Sequence, residues 1–71
     1  MKDLKVYKCE VHYGIMAISY GIRFAKITAY SKAEAMRIAA ANTDNFKRCK
    51  VEQVLDAPPD AVHGTFERLM G

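Results

Sequence analysis

The stretch Ala29-Tyr30-Ser31-Lys32-Ala33-Glu34-Ala35-Met36-Arg37-Ile38-Ala39-Ala40-Ala41-Asn42 decides how this chain folds. Ser31-Lys32-Ala33-Glu34 matches the capping box, in which a hydroxyl opens a helix by accepting from the backbone N–H three residues on. The spacing predicts that Ser31 Oγ takes the N–H of Glu34 and that the Glu34 carboxylate reaches back to the N–H of Ser31. Nearly every residue that follows is a strong helix former. Ala35, Ile38, Ala39 and Asn42 fall on one face, with Met36 and Ala40 at its margin and Lys32, Arg37 and Ala41 elsewhere. A helix over 32–42 follows. Its alanines let it sit close on a sheet, and Asn42 is a natural stop because Asn tolerates the left-handed backbone that ends helices.

Upstream, Leu4 to Tyr13 reads as a strand. Tyr7, Cys9, Val11 and Tyr13 occupy one parity and Lys8, Glu10 and His12 the other, an apolar-in, polar-out alternation. Gly14 and Gly21 read as turn positions. Between them, Ile15-Met16-Ala17-Ile18-Ser19-Tyr20 extends a hairpin or forms an apolar loop over the sheet edge. Ile22 to Tyr30 reads as a second strand, but neither of its parities is cleanly apolar, so its inward face stays unassigned.

Downstream, Thr43-Asp44-Asn45 is turn sequence, Phe46 is placed to anchor it on the core, and Cys49 to Leu55 reads as a third strand. Pro58-Pro59 ends that strand, since proline cannot donate to a ladder. Asp60 is placed to cap a short terminal helix with Phe66, Leu69 and Met70 as its apolar stripe, starting at Thr65 because Gly64 weakens it. The expected fold is α+β: an antiparallel sheet in β-β-α-β order over residues 1–57 with one helix on one face, and a tail or short helix over 58–71 in the same domain.

Seventy-one residues make one domain. At this size the net stability expected is on the order of 3–5 kcal/mol. The chain is 51% hydrophobic and 27% charged, a globular composition with no run of apolar residues long enough for a membrane span. No secretory pattern opens it, which leads to the expectation of a cytoplasmic protein in its host cell. Cys9 and Cys49 are too few for a disulfide scaffold and read as small apolar strand residues, with a cross-strand disulfide as the alternative. Neither they nor His12 and His63 have metal-ligand spacing, and no cofactor-binding motif is present.

Little points to catalysis. Asp56 and Asp60 flank the prolines as turn and cap residues. His12 falls on the polar parity of its strand, where a solvated histidine is expected, and His63 stands four residues from Glu67 as a surface pair on a helix. Binding is the better expectation. The net charge of +3 gives a mild attraction to acidic surfaces. Lys5, Lys8, Arg23, Lys26, Lys47, Arg48 and Lys50 lie on or beside strands with Tyr7, Tyr13, Tyr20, Phe24 and Tyr30 among them, a mixture that small modules use to hold single-stranded nucleic acid. The densest cluster is Lys47-Arg48-Cys49-Lys50, which together with Arg37 of the helix forms a candidate basic patch for phosphates or an acidic protein groove.

The run from Ala29 to Ala39, followed by Phe46 and Val51-Glu52, resembles small phage-encoded anti-CRISPR proteins, the type I inhibitors, over roughly residues 5–54. The specific content of that likeness lies around the helix, where Arg37 keeps the basic residue of the Arg37-Ile38-Ala39 segment, although Ala40-Ala41 stands where another basic residue is expected. The resemblance implies a one-helix sheet, no catalysis, and binding to the Cas7-type backbone of a Cascade surveillance complex in the path of target DNA. Arg37, Lys47, Arg48 and Lys50 are the expected contacts, with Lys26 and Tyr30 beside them. Two other readings stand beside it: a nucleic-acid-binding module that uses the same residues, and an assembly protein that dimerises through an open sheet edge or the uncovered face, with the apolar segment 15–20 as its seam.

Overall fold

In a computed structural model, residues 3–16 and 19–69 are described, without the side chains of residues 15, 16, 19 and 20. Strand β1, Lys5–Met16, and strand β2, Ser19–Ala29, form a long antiparallel hairpin, Lys5 opposite Ala29 and Tyr13 opposite Gly21. Helix α1, Lys32–Ala41, follows, then strand β3, Phe46–Asp56, and strand β4, Phe66–Leu69. The sheet order is β3-β1-β2-β4, antiparallel throughout, with α1 on one face.

The alternation expected for β1 sets the layers. Tyr7, Cys9 and Val11 are buried on the helix side. Their β2 partners in register, Ile27, Ala25 and Arg23, share that side, which assigns the inward face the β2 sequence leaves open. Cys9, Val11, Ala25, Ile27 and Ala29 meet Ala35 and Ala39 of the helix, each of them at most 1% exposed. Two alanines on the helix face give the close approach, and Ile38, Phe46, Cys49, Val51 and Phe66 pack around the margin. Both cysteines are free thiols, Cys9 buried and Cys49 half-buried.

Ser31 Oγ accepts from the Glu34 N–H at 3.1 Å, as the capping box requires. The return bond differs from expectation: Glu34 Oε1 accepts from the Tyr30 N–H at 2.8 Å, one residue before the cap. Asn42 ends the helix with its own N–H and its Nδ2 both directed at Ile38 O, but at φ −107 rather than left-handed. The left-handed residue is Asn45, at φ 57, where the loop turns into β3.

Two further local expectations are corrected. Gly14 and Gly21 sit within paired strands rather than at turns, and the backbone of residues 15–16 and 19–20 extends the hairpin; Ala17 and Ile18 lie outside the described residues. Gly21 is needed because the Tyr13 ring lies across it: a Cβ there would meet Tyr13 Cζ at 2.6 Å. The terminal helix does not form. Two turns replace it, closed by Ala61 N–H to Pro58 O at 3.0 Å and Thr65 N–H to Val62 O at 3.3 Å, the second using Gly64 at φ 89. Phe66–Leu69 then pairs with β2, because cross-strand backbone bonds there outcompete a helix of under two turns, too short to sustain itself. Met70, expected on the helix stripe, lies outside the described residues.

Strand β3 is an edge, and it carries two bulges. The register steps from Lys8–Gln53 to Cys9–Val51 and from His12–Arg48 to Tyr13–Phe46, leaving Glu52 and Lys47 as the extra residues. A charged residue in each bulge protects this edge from pairing with another strand.

Candidate interaction face

The face of the sheet opposite α1 is built in rows by strand register. Arg48, His12 and Ile22 form the first row, and Lys50, Glu10, Phe24 and Leu69 the second. Gln53, Lys8, Lys26 and Glu67 form the third, and Leu55, Val6 and Thr28 the fourth. In the first two rows, cations therefore stand on β3 and apolar side chains on β2 and β4. Ile22 is 47% exposed and Phe24 42%, neighbours on one strand with no helix over them.

The centre of this face is a hydrogen-bonded histidine–glutamate pair. His12 Nε2 lies 2.7 Å from Glu10 Oε1. The His12 hydrogen bond is the main cause that holds the Glu10 carboxyl below its usual range, helped by Glu52 and by Lys50 across the strand. His12 is 7% exposed, not solvated as its parity suggests. The reason is its place on a central strand, where Ile22 and Arg48 flank it on both sides. With Glu10 engaged by His12, no carboxylate among the described residues lies within ion-pair distance of Lys26, Arg48 or Lys50.

The fourth row is roofed by the segment between β3 and β4. Gly64 N–H donates to Thr28 O at 2.8 Å and Thr28 N–H to Thr65 O at 3.0 Å. Beneath this strap is a cleft of about 410 Å³ floored by Val6, Thr28 and Leu55, with Lys26 and Glu67 at its mouth. His63 holds the strap on the helix side. It stacks on Tyr30 at 4.8 Å between ring centroids, and its Nε2 is 2.8 Å from Glu34 Oε1. The expected pairing of His63 with Glu67 is thus replaced: the segment is not helical, and Glu67 stands opposite Lys26.

The six residues expected to bind a partner are divided. Arg48, Lys50 and Lys26 share the open face. Lys47 occupies the bulge, with its Cε 3.2 Å from where a Cβ on Gly14 would lie. Arg37 is exposed on α1, across the sheet, and Tyr30 is stacked on His63 at the helix N-terminus. Ile22, Phe24 and Leu69 complete the face and are not legible as a group in the sequence, because only strand register aligns them.

Among the described residues no group of three or more His, Cys, Asp or Glu side chains could hold a metal ion. No helix among them is long and apolar enough to cross a membrane. No protein-family model, curated protein or solved structure matches this chain.

Proposed function

We propose that this chain is a non-catalytic binding protein that docks its open sheet face on a protein partner, an apolar site bordered by carboxylates. The observation that carries this reading is the pair Ile22 and Phe24, 47% and 42% exposed, on the same face as Arg48 and Lys50. Exposed apolar side chains gain from burial at roughly 25 cal/mol per Å². The cations beside them steer and select an acidic rim. Both histidines are hydrogen-bonded to glutamates, which supports a structural use of the titratable groups.

The first partner to test is the one the resemblance implies, a Cascade surveillance complex. The chain then acts as a stoichiometric inhibitor, occupying the backbone groove and excluding target DNA. Nucleic acid itself is the second reading, favoured by the same cations. Against it, Phe24 is the one described aromatic side chain with an assigned place on the open face; Tyr7, Tyr13, Phe46 and Phe66 are on the helix side and Tyr30 is stacked on His63. Single-strand binders stack successive bases on several aromatics.

The test is capture from a bacterial lysate that contains type I effector complexes, with and without nuclease, identified by mass spectrometry. Effector subunits retained after nuclease and lost in an Arg48→Glu/Lys50→Glu variant are expected. An Arg37→Glu variant should keep them. Loss of every partner on nuclease treatment would overturn the protein-docking reading in favour of nucleic acid. Self-association through this face instead predicts a stability that rises with protein concentration.

A further inference from the structure

The ten-residue helix is about 15 Å long at 1.5 Å per residue. The twelve-residue β1 runs about 40 Å at 3.3 Å per residue, so the hairpin extends beyond the helix C-terminus. The inward face is thus uncovered there, and it holds a polar groove of about 710 Å³. One wall is the loop from Asn42 to Asn45, pinned to β1 by the Gly14 N–H donating to Asn45 O at 2.8 Å. The opposite wall carries two arginines on adjacent strands. Arg68 stands opposite Ala25, two residues along β2 from Arg23, so the two are diagonal neighbours on one face.

Arg23 is held in place. Its guanidinium carbon lies 4.6 Å from the centroid of the Tyr13 ring, and that ring rests on Gly21, where no side chain displaces it. No carboxylate among the described residues lies within ion-pair distance of either arginine. Asp44 is itself one of the lining residues, and α1 ends beside the groove at Asn42 with a partial negative charge. Asn42 caps that end through Ile38 O, and two full positive charges outweigh what remains.

We infer that this groove is a binding site for a small oxyanion, a phosphate- or carboxylate-bearing molecule held in the fork of Arg23 and Arg68. The site is separate from the open sheet face and does not depend on the docking reading. An arginine oriented in advance by an aromatic ring loses little freedom on forming two parallel hydrogen bonds to an oxyanion. The volume is that of a metabolite site. A nucleic-acid backbone would need cations continuing along the wall, and Asp44 interrupts them.

The test is NMR titration of the full chain with sodium phosphate and, separately, with citrate, against sodium chloride at equal ionic strength. Saturating shifts of the Gly14 and Gly21 amides and of the arginine Nε–H signals, with a Kd of about 1 mM or tighter, are expected. Saturation by phosphate alone assigns a phosphoryl ligand, and by citrate alone a carboxylate. Arg68→Gln, on the short edge strand, should weaken binding by about tenfold or more, the loss of one charge-assisted hydrogen bond. Arg23→Lys keeps the charge but loses the fork and should weaken it comparably. Shifts that chloride reproduces, shifts that never saturate, or wild-type affinity in folded forms of both variants would overturn the assignment.

Discussion

His63 Nε2 lies 2.8 Å from Glu34 Oε1, joining the strap before β4 to the first turn of α1 across 29 positions of sequence. The same carboxylate accepts the Tyr30 N–H, so one glutamate closes the helix start and anchors the strap.

Acid should therefore loosen both together. The Tyr30 N–H is the main cause that lowers the Glu34 pKa below 4.5, and the His63 hydrogen bond is the second. A depressed carboxylate stabilises the fold above its unfolded-state pKa, and that contribution is lost as pH falls through the lower folded value. Melting temperature followed from neutral pH down through this window should decline, and Glu34→Gln should flatten the decline while lowering the neutral plateau. Glu10 and Asp56, also held low by His12 and by Lys5, leave a residual slope in the variant. An unchanged slope in Glu34→Gln would show that this carboxylate does not carry the linkage.

Ile27 is fully buried between strands and helix, in a core otherwise made largely of small side chains. Ile27→Val should cost about 1 kcal/mol and Ile27→Ala about 2–5 kcal/mol. A domain of this size has on the order of 3–5 kcal/mol in total, so the alanine variant should be largely unfolded at room temperature. Urea denaturation followed by circular dichroism measures both.

Cys9 should be chemically silent in the folded chain. It is 1% exposed, and burial pushes its thiol up to about 12. Burial also raises Cys49, which is only half covered. Mild alkylation at pH 8 should modify Cys49 first and leave Cys9 intact until denaturant is added, as read by peptide mass spectrometry. Equal native rates at the two sites would contradict the packing.

The features legible from the residues alone are local. The capping box and the alanine-rich run specify helix α1 because its bonds join residues three and four apart. The alternation from Tyr7 to Val11 specifies β1 and its buried side because side chains on a strand change faces at every residue. Tertiary structure decided the rest, since each remaining feature depends on a partner distant in the chain. The inward face of β2 follows from register with β1. Gly21 belongs in a strand because of the Tyr13 ring. Residues 66–69 become a strand because β2 offers free backbone groups, where the local pattern suggested a helix. The candidate face has the same origin: Arg48 and Lys50 are visible as a basic cluster in sequence, but only cross-strand pairing sets Ile22 and Phe24 beside them. It also moves Arg37 to the other side of the sheet and turns His63 from Glu67 to Glu34.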